Sequence, residues 1–150
     1  MTYTINSNSN ITIQSSSPAY IVLNADTILD SSLVTYTPLN SSSKIIYDYT
    51  FLAHSAAALS DIGFVKLQEY NGSAWVDVSN CIKSFGTTNQ LAHIVNIKFV
   101  IDSWSGSKQL RLYCEVKSSS DNLILYGNKY WQGNSDYYNQ CKCVLKVSEI

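Results

Sequence analysis

The sequence predicts an all-β protein, specifically an antiparallel β-sandwich of the jelly-roll type. Apolar and aromatic residues alternate with polar residues at a period of two in several short segments, and Asn, Gly, Ser and Pro separate these segments. Residues 53 to 61 alone have helical character, and this segment is too short to form a stable helix by itself. Short alternating strands separated by frequent turns are typical of β-sandwiches and jelly rolls.

Length and charge indicate one domain without a nucleic-acid surface. A chain of 150 residues is long enough to bury a single core, and its 10 basic and 11 acidic residues nearly cancel. Binding to phosphate backbones needs a concentrated positive surface, which this composition does not supply. We expect an N-terminal arm over residues 1–18 and one sandwich domain over residues 19–150, with no cofactor.

The chain start carries no recognisable targeting signal. Residues 1 to 7 have neither a charged leader nor an apolar core, and the apolar runs elsewhere are too short to cross a bilayer. Synthesis in a cytoplasm is the expectation, with no membrane contact. The sequons at Asn10, Asn40 and Asn71 are then expected to be incidental in a chain rich in Ser and Asn.

The central segment, residues 33 to 52, predicts a strand, a loop and a second strand. Pro38 and the Ser-rich triplet that follows Asn40 mark the loop. From residue 44 onward, one face carries only large apolar or aromatic side chains and should be buried. These residues are Ile45, Tyr47, Tyr49 and Phe51.

Further strands are predicted on both sides of this segment. Residues 1 to 18 contain one alternating piece around Ile11 and Ile13, which suggests an edge strand or an arm that reaches a neighbouring subunit. Residues 64 to 78 predict a hairpin, because Asn71-Gly72 favours a type I′ turn. Residues 94 to 102 and 109 to 117 predict an antiparallel pair, followed by strands at 123 to 126 and 141 to 147.

The four cysteines do not have the spacing of a metal site. Structural zinc sites usually present paired C-x-x-C motifs on turns, whereas Cys141 and Cys143 share one face of a predicted strand with core residues. Buried reduced thiols at Cys114, Cys141 and Cys143 are the favoured interpretation. A disulfide from Cys114 to Cys141 or Cys143 is the alternative, and Cys81 lies apart from them.

No pattern in the sequence points to enzyme chemistry. His54 and His93 lie outside any nucleophile or metal motif and are expected to be ordinary polar residues, the first of them in a loop. Five acidic residues could in principle pair as glycosidase carboxylates, but no spacing brings two of them together. These residues are Asp48, Glu69, Asp77, Asp102 and Glu115.

The segment from residue 125 to 138 has the most functional appearance. It interleaves Tyr and Trp with Asn, Gln and Asp, a composition that suits contact with another protein chain or stacking on sugar rings. Contact with another protein subunit is the favoured interpretation. Recognition of a glycan or receptor is the alternative, and a calcium site that uses Asn134 and Asp136 is a weaker one.

Two segments resemble structural proteins of phages and large algal viruses. The run from 36 to 51, YTPLNSSSKIIYDYTF, is similar to the segment that opens a jelly-roll strand in those proteins, and YNGSAWVDV at 70 to 78 looks like the turn that often follows. The resemblance implies a small, often trimeric jelly-roll module on a fibre, spike or capsid surface. It implies no catalytic residues.

We therefore expect a non-enzymatic component of the virion surface, made in the host cytoplasm. It would be a capsid decoration or minor capsid protein that assembles, as a trimer, with itself and with other capsid proteins. A carbohydrate- or receptor-binding module of a tail fibre or spike is the alternative. The residues expected to make contacts are Tyr47, Tyr49, Trp104, Tyr130, Trp131, Tyr137, Tyr138, Ile11 and Ile13.

Overall fold

The protein folds as an antiparallel β-sandwich, and its regular structure consists of strands throughout the described part of the chain. The computed structural model describes residues 2–5, 11–16, 21–23, 25–55, 61–87, 92–116, 123–129, 137–139 and 143–150. The strands are β1 (Thr2–Ile5), β2 (Ile11–Ser16), β3 (Ile21–Val22), β4 (Thr27–Ile28), β5 (Val34–Tyr36), β6 (Lys44–Ser55), β7 (Asp61–Tyr70), β8 (Trp75–Thr87), β9 (Ala92–Asp102), β10 (Lys108–Val116), β11 (Leu123–Leu125), β12 (Gly127–Lys129), β13 (Tyr137–Asn139) and β14 (Cys143–Glu149).

The first sheet is built around β6. One edge of β6 pairs with β9 over its whole length, whereas the other edge pairs with β14 at residues 45 to 50 and with β11 at residues 53 to 55. Beyond β14 follow β2 and then β1, and β3 pairs with β11. We call this assembly sheet 1, and β9 ends it on one side.

The second sheet is built around β10. One edge of β10 pairs with β7, and its other edge pairs with β5 at residues 108 to 110 and with β4 at residues 113 and 114. β8 pairs with the free edge of β7 and ends this sheet, which we call sheet 2. β12 and β13 form a separate two-stranded sheet.

The core lies between sheets 1 and 2 and is filled by alternate residues of the long strands. Every second side chain of β6, β9, β10 and β14 is buried, as the period of two requires. Phe51 packs edge-on against Phe85, with ring centroids 5.3 Å apart, and the Phe85 ring lies against Gly63, where a Cβ atom would come within 2.5 Å of it. The largest fully buried side chains are Tyr47, Tyr49, Tyr126, Phe51, Leu29, Ile45, Leu67, Ile97, Leu110, Leu112, Ile124 and Leu125.

The hydroxyl groups of three buried tyrosines form hydrogen bonds with the backbone of one turn. Residues 29 to 32 enter the sandwich, and the hydroxyls of Tyr47 and Tyr49 donate hydrogen bonds to the carbonyl oxygens of Ser32 and Asp30. The Asp30 amide donates to the Tyr126 hydroxyl at 2.8 Å. Because a buried carbonyl without a partner destabilises the fold, tyrosine is favoured over phenylalanine at these positions.

The sequence prediction holds for most strands. The central segment forms β5, a loop and β6 as expected, and the inward faces of β9 and β10 carry the predicted residues. The hairpin β7–β8 is confirmed, but its turn type is not. Gly72 has a positive φ of 98° and Asn71 has none; instead, the Asn71 side-chain oxygen accepts hydrogen bonds from the amides of Ser73 and Ala74.

The predicted pairing of residues 94–102 with 109–117 is wrong. Residues 103 to 107 carry the chain from β9 in sheet 1 to β10 in sheet 2, and the two strands pair with β6 and β7 instead. Alternation showed which face of each strand is buried. It did not show which sheet each strand joins, because both sheets bury the same kind of face. None of the described residues belongs to a helix that could span a membrane.

Candidate functional site

An exposed surface of the sandwich lies where β8 and β9 run past each other. Each ends its sheet within the described part of the chain, and the Lys83 ammonium of β8 lies 5.8 Å from the centroid of the Phe99 ring of β9. Ile82, Ile94 and Val100 are 49%, 71% and 55% exposed on these two strands. We call this surface the open side. It combines free strand edges with exposed apolar side chains, as association surfaces often do.

A cleft of about 620 Å³ lies at one end of the open side. A bulge in β8 forms one wall, because Lys66 pairs with Ile82 and Gln68 with Asp77, which leaves four residues of β8 opposite the single Leu67. The cleft is lined by Lys44, Glu69, Asp77, Val78, Ser79, Asn80, Cys81, Val100, Ile101, Asp102, Ser103, Trp104 and Lys108. Its volume lies in the range of small-molecule sites, about 300–1,000 Å³.

Trp104 is the aromatic residue of this cleft. Its ring packs edge-on against Tyr36 at a centroid distance of 6.2 Å, and the Lys108 ammonium lies 5.5 Å above it. The indole N–H is buried and has no hydrogen-bond partner among the described residues. Asn80 of the bulge has a positive φ of 60°, a conformation that asparagine adopts more readily than most residues. The cleft thus brings together polar groups that suit binding.

Each of the five carboxylates considered above lies in an ion pair with a lysine. Lys66 lies 2.5 Å from Glu115 and 3.3 Å from Asp77, and Lys108 lies 2.8 Å from Glu69. The hydrogen bond from Gln68, followed by the contact with Lys66, lowers the pKa of Asp77 despite partial desolvation. Asp77 is therefore held as an anion, which suits charge pairing rather than proton donation. The other two pairs are Asp48 with Lys98 and Asp102 with Lys44.

Two of the predicted contact residues are corrected by the structure. Tyr47 and Tyr49 are both 0% exposed, and their hydroxyls bind the backbone of residues 30 and 32. They lie in the core of one chain and offer no surface to another. The alternation of residues in this strand predicts their burial, whereas their aromatic character alone suggested contact with another chain.

The remaining predicted contact residues fall in three places. Ile11 and Ile13 lie in β2, half-buried, and pair with β14 and β1, so this part of the expected arm belongs to sheet 1. Trp104 is half-buried in the cleft. Tyr137 and Tyr138 lie in β13, whereas Tyr130, Trp131, Asn134 and Asp136 lie outside the described residues.

The cysteines and histidines form no site among the described residues. Cys81, Cys114 and Cys143 are buried free thiols, and Cys141 lies outside that part of the chain. Burial raises the pKa of Cys114 to about 12, helped by Asp26 and Glu115. His54 lies in β6 rather than in a loop, next to β9, which contains His93. No group of three or more His, Cys, Asp or Glu residues in the described ranges could hold a metal ion.

Sequence reasoning missed a cluster on the outer face of sheet 2. Arg111 of β10 lies over the ring of Trp75 at the start of β8, with 4.1 Å between its Cζ atom and the ring centroid. Tyr70 is the third member of this cluster and packs against Trp75, with the two ring centroids 5.5 Å apart. Alternation placed Arg111 on an outer face, but only the pairing of β7 with both β8 and β10 brings these residues together.

Comparison with known proteins adds no further constraint. No family model matches the chain, and no curated protein matches it either.

Proposed function

We propose that the chain is a non-enzymatic structural module of a virion surface, a capsid decoration or minor capsid protein that assembles as a homotrimer. The viral assignment and the trimer rest on the resemblance of residues 36–51 and 70–78 to structural proteins of phages and large algal viruses. In the virion, the trimer would contact neighbouring capsid proteins and hold them together. Burial of exposed apolar surface between copies would drive its assembly.

The strand connections support a jelly-roll topology for this module. The chain crosses between the sheets from β5 to β6, from β6 to β7, from β8 to β9, from β9 to β10 and from β10 to β11. Repeated crossing between two antiparallel sheets is typical of the double-sheet jelly roll.

The open side is the observation that carries the proposal of self-association. Long strand edges with exposed apolar residues attract other chains, and soluble proteins usually blunt such edges with charges or cover them. The outward positions of β9 carry two apolar side chains that remain exposed beside two charged ones and one amide. In chain order they are Ile94, Asn96, Lys98, Val100 and Asp102. A partner copy that covers these residues would remove them from water.

The mass of the full chain in solution tests this proposal. Light scattering over a concentration series should give three times the 16.7 kDa of one chain. The double variant Ile94→Ser and Val100→Ser should dissociate the assembly, whereas Ile28→Ser should not, because Ile28 lies in β4 at the opposite end of sheet 2 from β8. A monomer at every concentration, or equal dissociation by both variants, would contradict the proposal. Immunogold labelling of purified virus particles tests the location.

Carbohydrate recognition is the second candidate, and the cleft beside Trp104 favours it. Paired charges, the Asn80 amide and an indole ring line a space large enough for a small saccharide. Binding to a glycan array should be lost in Asn80→Gly, which removes the amide and retains the freedom to adopt a positive φ. Retention of all array signals by this variant would exclude the cleft as the binding site.

A further inference from the structure

The outer face of sheet 2 carries an arginine that is held in place. Arg111 points away from the core, since its neighbours Leu110 and Leu112 are buried. Its guanidinium lies over the Trp75 ring at 4.1 Å, and its Nε donates a hydrogen bond to the side-chain oxygen of Gln68 at 2.9 Å. The stacking contact fixes one face of the guanidinium, and the hydrogen bond fixes its direction within the plane.

Gln68 is itself held by its other neighbour. Its amide nitrogen donates to a carboxylate oxygen of Asp77 at 2.8 Å, and its side chain is nearly buried. The oxygen of the amide is thereby oriented towards Arg111. Asp77 also pairs with Lys66, so the acidic group nearest to this network already has its own cation.

Arg111 has no acidic partner among the described residues. It takes part in none of the ion pairs, and only its Nε is engaged in a hydrogen bond. Within the described ranges, the N–H groups of the two Nη nitrogens therefore have no hydrogen-bond acceptor. Two parallel N–H donors on a rigid fork match the two oxygens of a carboxylate, and such bidentate pairs are among the strongest hydrogen bonds in proteins.

The surroundings of Arg111 indicate what would carry the carboxylate. Arg111 is half-buried, and the accompanying desolvation lowers the pKa of its guanidinium. Tyr70, 37% exposed, packs against Trp75, the ring that carries the arginine, and offers an accessible aromatic ring next to it. The apolar face of an aromatic ring suits the C–H face of a sugar.

We propose that Arg111, Trp75 and Tyr70 form a binding site for the carboxylate of an acidic saccharide, such as a uronic or sialic acid. The carboxylate accepts two hydrogen bonds from the Nη atoms of Arg111, and the sugar ring lies against Tyr70. Trp75 and Gln68 keep the guanidinium in position. The site lies on the outer face of sheet 2 rather than on the open side, so it does not depend on the proposed self-association.

Titration of the isotope-labelled full chain with glucuronic acid tests this site by nuclear magnetic resonance. Glucuronic acid should shift the Arg111 Nε and Trp75 indole resonances, and glucose at the same concentration should not. An acidic peptide serves as a third probe, because it carries carboxylates without a sugar ring. If it binds more tightly than glucuronic acid, the saccharide assignment is overturned.

Three variants distinguish bidentate hydrogen bonding by the guanidinium from the effect of a positive charge alone. Arg111→Lys keeps the positive charge but loses the bidentate geometry, and it should weaken binding of glucuronic acid by about tenfold or more. Arg111→Met keeps an unbranched side chain but removes the guanidinium, and it should abolish binding. Lys98→Gln, on sheet 1, removes a positive charge elsewhere and should leave binding unchanged.

Thermal unfolding of each variant confirms that it is folded before binding is compared. The proposal is overturned if glucuronic acid produces no shift in the native protein. It is also overturned if Arg111→Lys binds as tightly as the native protein, or if Lys98→Gln weakens binding as much as Arg111→Met does.

Discussion

Two groups of aromatic residues occupy opposite faces of the strands. The inner group, Tyr47, Tyr49 and Phe51, lies on β6 between the sheets and is almost completely buried. The outer group, Tyr70 and Trp75, lies at the β7–β8 hairpin on the outer face of sheet 2, where the two rings pack together and Trp75 also contacts Arg111. The residue types are similar, and the face of the strand decides their role.

The hydrogen bonds of the two groups differ in the same way. The hydroxyls of Tyr47 and Tyr49 donate hydrogen bonds to carbonyl groups of the turn at residues 30 and 32 and so tie this turn to sheet 1. In the outer group, Trp75 stacks on the Arg111 guanidinium, whose Nη donors have no partner within the described part of the chain. Aromatic residues of the inner group therefore maintain the fold, whereas those of the outer group are placed to meet a ligand. The predictions below test this division.

The largest expected effect is the loss of an inner aromatic ring. Phe51→Ala should lower the free energy of unfolding by about 3–5 kcal/mol, because it leaves a cavity against Phe85 and Tyr49. Tyr70→Ala should lower it by less than about 1 kcal/mol, because that ring is already partly exposed. Urea unfolding measures both values, and equal losses would contradict the division.

A smaller effect is expected from removal of one inner hydroxyl. Tyr47→Phe leaves the buried carbonyl of Ser32 without this donor and should lower the free energy of unfolding by about 1–3 kcal/mol. Tyr70→Phe, the matched change in the outer group, should alter it by no more than about 0.5 kcal/mol. Chemical denaturation of the two variants provides the comparison. A neutral result for Tyr47→Phe would show that the hydroxyl does not stabilise the turn.

The third prediction concerns alkaline pH. Desolvation, followed by the charge of Glu149, raises the pKa of Tyr36 to about 12, and burial raises the pKa values of Tyr47 and Tyr49 as well. A group with a raised folded pKa stabilises the fold below its unfolded pKa, near 10 for tyrosine, and this contribution is lost as pH rises. Stability should therefore fall between about pH 10 and 12. The pKa of Cys114 is also raised, from 9.0 to about 12, so the decrease in stability should begin near pH 9.

Urea unfolding at a series of pH values checks this prediction. Absorbance of tyrosinate in the folded protein should show the inner tyrosines ionising only as the protein unfolds. If the free energy of unfolding is constant from pH 8 to 12, the inner tyrosines do not have raised pKa values and the prediction is wrong.

Alternation revealed what each strand buries, and for that reason most of the core could be predicted. The inward residues of β6, β9 and β10 follow directly from a period of two. The assignment of strands to sheets could not be predicted in this way, since β9 and β10 present equivalent patterns yet lie in different sheets. Connection length favoured a hairpin, and the packing of two sheets decided otherwise.

The candidate sites depend on residues that are distant in the sequence. The cleft needs the β8 bulge beside residues 100 to 104, and the arginine cluster needs β10 and β8 on either side of β7. No local sequence motif predicts either arrangement. Only a correct strand order would have brought Arg111 to Trp75.

The position of β14 has a consequence for biosynthesis. This strand, the last of the described chain, lies between β2 and β6 in the middle of sheet 1, and Ile150 exchanges two backbone hydrogen bonds with Lys44. Sheet 1 cannot close while the ribosome still holds residues 143 to 150. Early strands must wait for a distant one, so folding of this sheet should be slow.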